Sequence, residues 1–531
     1  MSYLSIFDTS LRDGSQAEHV SFSLNDKLLI TKLLDDFGID YIEGGWPGSN
    51  PKDFEYFQRV KNSNIKHSLI TVFSSTKRAG VKIEDDANIT ATIKSEADVA
   101  CIFGKSWDFH VETALRISLA ENCELIFDSI SHLKKYFKEV IFDMEHFFDA
   151  YKNNPDYTKK VMEVVKQAGA DYLVLCDTNG GAMPWEVEEI LDELKPIMPE
   201  KFGIHAHNDG EMGVANSLVA VRKGAKMVQG TINGFGERCG NANLISIMAN
   251  AQLKMGMKVI GKAQLKKLTH LGNTILEIAN LKEIDDQPFI GKSAFAHKGG
   301  VHVSAILRNP KTYEHIDPAL VGNARRVLVS DLSGYSNIKY KIDKWNLADK
   351  FDDASLKKAL IELKKLENRG YAFEAADASF ELFLLGRFNL VPDYFKVISY
   401  RVINEKLVAS NDAESLATVK LQVTKDGGSA LYSSEGNGPV DSLFLALKKG
   451  ISVYYPQLAD YRLVDYKVRI LEQLGRGSEA TVRVLIESKA LDKTWTTVGV
   501  SFDIIGASFA GLVDSLIYQL FKSKTTPTNN I

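Results

Sequence analysis

Phe7-Asp8-Thr9-Ser10-Leu11-Arg12-Asp13-Gly14-Ser15-Gln16 follows directly on a short apolar run, residues 4–7, near the start of the chain. A strand that ends in Arg beside Asp presents a guanidinium and a carboxylate together, which suits an anionic, oxygen-rich substrate and a hard metal ion. Taken alone, an Arg–Asp pair is most often a surface ion pair. The rest of the chain decides between the two readings.

Working outward, eight apolar strand candidates are spaced through the first half: residues 4–7, 41–43, 68–72, 99–103, 140–142, 172–176, 202–205 and 227–230. Helical patterns lie between them. Over 24–37, Leu28, Leu29, Leu33 and Phe37 recur at helical spacing, and Ser23 with Asp26 makes a fair start cap. Gly38-Ile39-Asp40-Tyr41, Gly169-Ala170-Asp171-Tyr172 and Gly224-Ala225-Lys226-Met227 repeat one local phrase, a glycine helix end turning into a buried strand. Eight such units in about 250 residues are the size of a (β/α)8 barrel. An open doubly wound sheet is the competitor, but no Gly-rich dinucleotide fingerprint follows the first strand. The fold class expected is therefore α/β: a (β/α)8 TIM barrel over 1–260, a mostly helical linking subdomain over 261–388, an α+β regulatory domain with an internal repeat over 389–521, and a disordered polar tail over 522–531.

A barrel places its chemistry at the C-terminal ends of the strands. Those ends carry Arg12 and Asp13, Glu43, Glu145, Asp177-Thr178-Asn179, His205-Ala206-His207-Asn208-Asp209 and the segment Asn233 to Asn241. His205 and His207 are two apart on a strand and share a face. With oxygens from Asp13 and Asn241 they make a candidate site for Mg, Mn, Zn or Co, among which the ligand set does not choose. Such a metal chelates a 2-oxo acid and polarises its carbonyl; Arg12 then meets the charge developing on oxygen, and the Thr178 hydroxyl holds the substrate carboxylate. Glu43 and His302 are the acid–base candidates, though Glu43 could instead pair with a lysine and His302 could cap a helix.

Bulk properties narrow the classes. A chain of 531 residues exceeds one core, so two or three domains are expected. Its net charge of -4 lacks the basic footprint of a nucleic-acid binder. No signal-peptide pattern opens it, and no apolar run is expected to be long enough to span a bilayer, so the expected location is the cytoplasm, without membrane or nucleic-acid partners. Cys101, Cys123, Cys176 and Cys239 are scattered, as reduced core residues would be. In the last third, Ala417-Thr418-Val419 is echoed by Ala480-Thr481-Val482, and Val440-Asp441-Ser442-Leu443 by Val513-Asp514-Ser515-Leu516. Gly436, Gly438, Pro439 and Ala507 are read as lying just before the two helices, where backbone N–H groups could receive a carboxylate; plain turn glycines are the other reading.

Four motifs, F-D-T-S-L-R-D-G-S-Q (7–16), H-A-H-N-D (205–209), N-G-F-G-E-R-C-G-N-A (233–242) and F-A-H-K-G-G-V-H (295–302), together resemble the 2-isopropylmalate, homocitrate and citramalate synthase family. These are metal-dependent barrels that condense acetyl-CoA with a 2-oxo acid. Residues 43–53 and 312–323 are most similar to the branch that uses pyruvate. Thr9-Ser10 replaces the family's usual Thr-Thr, and Gly45-Trp46-Pro47 its Gly-Phe-Pro. The resemblance implies Asp13, His205, His207 and Asn241 as metal ligands, Arg12 on the carbonyl and Glu43 with His302 in deprotonating the acetyl methyl. It also implies Tyr313 approaching from the subdomain, a homodimer through the C-terminal repeat, and isoleucine as inhibitor. The alternatives are a larger 2-oxo acid, an aldolase, acyl-CoA lyase or biotin-linked carboxyltransferase on a similar barrel, and a non-catalytic regulator.

Overall fold

Most strands of the first half alternate between two buried layers, one under the helices and one inside the barrel. In a computed structural model, residues 2–330, 333–406, 413–423, 428–471, 480–491 and 493–524 are described. β1 (Ser5–Asp8), β2 (Tyr41–Gly45), β3 (Leu69–Ser75), β4 (Val99–Lys105), β5 (Glu139–Glu145), β6 (Tyr172–Asp177), β7 (Phe202–Ala206) and β8 (Met227–Gly230) pair in sequence order into a closed parallel barrel, β8 returning to β1. On β1, Ile6 packs outward under the helices while Phe7 packs inside; on β4, Ala100 and Ile102 face out, and Val99 and Cys101 face in. The barrel centre is thus a packed core, and its open end is left to the residues beyond the last apolar layer.

The local signals act as expected. Helix Leu24–Phe37 starts with Ser23 and Asp26 in a reciprocal capping box and ends at Gly38, whose φ of 95° a residue with a Cβ adopts at a cost. Gly169 and Gly224 repeat this device at φ 89° and 112°. The helix expected over 262–279 is two pieces, Lys262–Leu265 and Leu268–Ile278, broken where Gly322 packs against the Lys266 carbonyl. The longer helix expected near 355–368 is Asp353–Asn368.

The chain forms two units, residues 1–295 with 314–326, and residues 296–313 with 327–531. The second holds two three-stranded antiparallel sheets, each followed by a helix. β9 (Lys396–Lys406), β10 (Ala413–Gln422) and β11 (Ala430–Gly436) precede helix Pro439–Ser452; β12 (Arg462–Leu471), β13 (Thr481–Ala490) and β14 (Lys493–Ser501) precede helix Ile504–Lys522. The Ala-Thr-Val echoes fall on the central strands, β10 and at the start of β13. The helical echoes are not equivalent in position: Val440 is the second residue of its helix, whereas Val513 lies well inside its own, because the second helix starts earlier relative to the phrase. Helix Ile504–Lys522 is long and apolar enough to cross a membrane, contrary to the reading that no run reached that length. Ala507, Leu512, Leu516 and Leu520 bury it in one core with Val484, Ile486 and Trp495 of its own sheet. The tail expected to be disordered lies, from 525 on, outside the described residues.

Candidate active site

The loops after β1 and β8 are tied to each other by a buried carboxylate. Asp8 accepts the Ser10 N–H at 3.0 Å and the Ser10 hydroxyl at 2.9 Å, and Ser10 Oγ accepts the Ile232 N–H at 2.9 Å. Burial pushes the Asp8 pKa up to about 7. This tie brings the two loops side by side, so that Asn241 Nδ2 donates to Asp13 Oδ2 at 3.1 Å.

Arg12 is held on three sides. Its Nε donates to Glu43 Oε2 at 2.6 Å, a second guanidinium nitrogen sits 3.3 Å from Asp13 Oδ2, and the guanidinium lies 3.7 Å over the Phe73 ring. Glu43 also accepts the Thr9 hydroxyl and is fully buried. It stands behind Arg12 and is not part of the cavity wall, so its geometry is that of a residue orienting the guanidinium.

Asp13, His205 and His207 present ligand atoms that all lie within 4.8 Å of one another. Burial by itself would raise the Asp13 pKa, but Arg12 and His205 outweigh it and hold the carboxyl well below the usual range. Burial and the neighbouring His205 push His207 down to about 4, so it is a neutral imidazole at physiological pH. Gln229 orients the other histidine: its Nε2 donates to Asp143 at 2.9 Å, so its Oε1 is the acceptor for His205 Nδ1–H at 2.8 Å. That leaves His205 Nε2 toward Asp13 and Asn241, at 3.4 and 3.3 Å; burial works against the charged imidazole, but Asp13 outweighs it and raises the His205 pKa. His207 Nδ1 and Asn241 Oδ1 are buried without a hydrogen-bond partner. Two unsatisfied donor-set atoms beside an ionised carboxylate and a neutral imidazole fit a divalent cation, which would complete them.

These groups open on a cavity of about 220 Å³. Trp46, Phe73 and Phe103 wall one side; Phe73 and Phe103 stack at 5.4 Å, and Trp46 meets both edge-on. The other walls include Asp143, Glu145, Thr178 and Arg238. Thr178 Oγ1 accepts the His146 N–H at 2.8 Å, which leaves its own hydrogen to donate into the cavity. Arg238 grips Asp209 through two nitrogens, at 2.8 and 2.9 Å, and donates to the Thr178 carbonyl at 2.8 Å, tying three loops together. Glu145 pairs with Lys105 across β4 and β5. Cys176 also lines the cavity, but burial raises its thiol pKa and keeps it un-ionised.

Arg12, Asp13, Thr178, His205, His207 and Asn241 are therefore brought together. His302 and Tyr313 belong to the second unit, where their rings stack at 4.1 Å. Gly436, Gly438 and Pro439 form the turn from β11 into its helix, and Ala507 is fully buried on the other helix, its carbonyl against Gly499. Not foreseen were Gln229 and Asp143, polar residues inside otherwise apolar strands, and the aromatic wall. A polar side chain at an inward strand position was the signal available for the first two.

Barrel and strand-end site together define an enzyme of the HMGL-like kind, with a donor set that could hold a metal ion, and the HMGL-like family profile matches residues 3–275. The profile for the homocitrate synthase post-HMGL domain matches 289–371, and that for the LeuA allosteric (dimerisation) domain 374–520. The (R)-citramalate synthase of Aquifex aeolicus is 51% identical over 520 residues, covering 98% of each chain, and that of Geobacter sulfurreducens 51% over 525 residues, covering 99% of each. A 2-isopropylmalate synthase of Lysinibacillus sphaericus is 28% identical over 528 residues, covering 98% of each. The chain belongs to the (R)-citramalate synthase family.

Proposed function

We propose that this enzyme condenses acetyl-CoA with pyruvate and water, giving (R)-citramalate and CoA. The observation that carries the reading is Arg12, clamped by Glu43 and Asp13 and stacked on Phe73, at the edge of a small aromatic-walled cavity beside Asp13, His205 and His207. A divalent cation (Mg, Mn, Zn or Co) held by Asp13, His205, His207 and Asn241 supplies Lewis-acid polarisation of a bound 2-oxo acid. Thr178 donates to the substrate carboxylate. Arg12 stabilises the negative charge that gathers on the carbonyl oxygen as the bond forms between the acetyl methyl carbon and pyruvate C2. Glu43 fixes Arg12 for that task. His302, stacked on Tyr313, takes the methyl proton, and hydrolysis of the thioester then releases CoA.

Trp46, Phe73 and Phe103 favour the smallest acceptor, since rings packed on one another cannot retreat to admit a branched side chain. The 51% identity to the (R)-citramalate synthases of Aquifex aeolicus and Geobacter sulfurreducens, against 28% to the 2-isopropylmalate synthase, supports the same choice. Citramalate made this way opens a threonine-independent route to isoleucine in the cytoplasm. Two copies pair through the C-terminal repeat, and isoleucine inhibits near Gly436, Gly438, Pro439 and Ala507. The test is CoA release with pyruvate, 2-oxobutyrate, 2-oxoisovalerate and 2-oxoglutarate, with and without chelator. Preference for pyruvate, abolished by chelation, is the expected result; preference for a branched or dicarboxylic acceptor, or no turnover, overturns the assignment. Added isoleucine then checks the feedback separately.

A further inference from the structure

The second unit holds a cavity of about 420 Å³ bounded by helix Asp377–Gly386, the segment 389–395, helix Ile504–Lys522 and residues 366–373. Its wall is aromatic, with Tyr371, Phe373, Phe383 and Tyr394, and it carries two carboxylates, Asp514 within and Asp393. Among the described residues, no lysine, arginine or histidine lines it.

Asp514 is an unusual residue for a helix that is otherwise a core element. It is half-buried, because it faces the cavity, and Ser379 Oγ donates to it at 2.8 Å. Ser379 Oγ in turn accepts the Val498 N–H at 3.0 Å, so the carboxylate is held in one place. Burial pushes its pKa up to about 6, and no cation among the described residues offsets its charge. Two lysines on the elements around it are paired with other carboxylates: Lys522 of the same helix with Glu381 at 2.5 Å, and Lys341 with Asp377 at 2.8 Å. Its counterpart in the repeat, Asp441, accepts the Asn437 N–H at 2.9 Å at its helix start. Asp514 has no such backbone partner among the described residues. A fixed, uncompensated carboxylate facing a pocket of aromatic rings is the arrangement that favours an incoming cation, through its charge and through the ring faces. Apolar walls select the body that carries the cation.

We propose that this cavity binds a small organic ammonium ion on an apolar body, with Asp514 as its counter-charge and Tyr371, Phe373, Phe383 and Tyr394 as its walls. A zwitterionic amino acid is a poor fit, because its carboxylate would meet Asp393 and Asp514 with no cation in the wall. The site is therefore distinct from the isoleucine site proposed above, and it stands whatever the acceptor of the condensation.

Calorimetric titration of the full-length protein at neutral pH tests this with three probes of one carbon skeleton: 2-methylbutylamine, 2-methylbutanol and isoleucine. The expected result is saturable binding of the amine, at least about tenfold weaker binding of the alcohol, and no competition between isoleucine and the amine. Asp514→Asn lowers amine affinity by at least about tenfold and leaves the alcohol unchanged. Equal binding of amine and alcohol to the wild type overturns the proposal without reference to any variant. So does displacement of the amine by isoleucine, or no amine binding at all, as when a second copy of the chain fills the cavity.

Discussion

The barrel mouth and the Asp514 cavity both bury carboxylates, and they treat them in opposite ways. At the mouth the carboxylates beside Arg12 have their counter-charge in the chain: Arg12 lies between Glu43 and Asp13. Glu43 Oε1, His207 Nδ1 and Asn241 Oδ1 are left without partners, and the last two, beside Asp13 and His205, mark where a ligand goes. In the second unit the leftover is a whole charge, Asp514. The first pattern is a preorganised site, rigid before anything binds; in the second the chain itself leaves the balance incomplete.

Breaking the balance at the mouth has the largest expected effect. Arg12→Gln leaves Glu43 buried without its counter-charge, and unfolding free energy falls by about 3–5 kcal/mol. CoA release falls by about 10²–10³-fold from the lost charge stabilisation alone. Arg12→Gln combined with Glu43→Gln is the sharper experiment. It restores most of the stability in denaturant titration but none of the activity. A single variant as stable as the wild type would show that the buried pair is not what holds the loop.

The uncompensated carboxylate has a pH signature. Asp514 titrates near 6 in the folded chain against an ordinary value of 3.8. A raised carboxylate pKa means the folded state binds the proton more tightly. Its contribution is therefore complete below about pH 4 and lost as pH rises through 6, a swing of about 3 kcal/mol. Asp514→Asn removes that swing: the stability difference between variant and wild type grows between pH 4 and 7, read from denaturant titrations at each pH. A difference that stays constant over that range would mean the carboxylate is compensated after all.

Packing gives the next contrast. A Cβ on Gly499 would stand 1.9 Å from the Ala507 carbonyl oxygen, in the contact between β14 and the last helix. Gly499→Ala must lift that helix, at a cost of about 1–3 kcal/mol. The C-terminal transition moves down in temperature while CoA release at saturating substrate is unchanged. Equal loss in both would show that the two units do not fold independently.

How much of this was legible follows from the kind of signal each feature leaves. The barrel repeats its strand–helix phrase eight times, and Arg12, Asp13, His205, His207 and Asn241 lie where that fold puts chemistry. Trp46, Phe73 and Phe103 come from β3, β4 and the loop after β2, and only closure of the barrel makes them one wall. Gln229 on β8 and Asp143 on β5 lie outside every motif; Gln229 bonds to His205, and Asp143 holds Gln229. The echo of Val-Asp-Ser-Leu was visible, but its meaning was not, because the two helices begin at different distances from the phrase and send Asp441 and Asp514 to different surroundings.

The smallest effect sharpens the contrast between local signals and tertiary ones. Ser23 Oγ accepts the Asp26 N–H at 3.2 Å, and Asp26 accepts the Ser23 N–H at 2.8 Å, so the pair satisfies two N–H groups at the start of helix Leu24–Phe37. This cap is exposed and, though only ten residues beyond Asp13, its two side chains bond to each other's backbone N–H groups and to no residue of the mouth. Ser23→Ala is expected to cost about 1 kcal/mol in denaturant titration. It leaves CoA release and metal affinity unchanged, because Ile30 and Leu34 still fix the helix on the barrel from its buried face. A larger loss, or any change in turnover, would mean that the first helix positions the β1 loop, and that the rigidity of the mouth depends on the outer layer as well as on its own ion pairs.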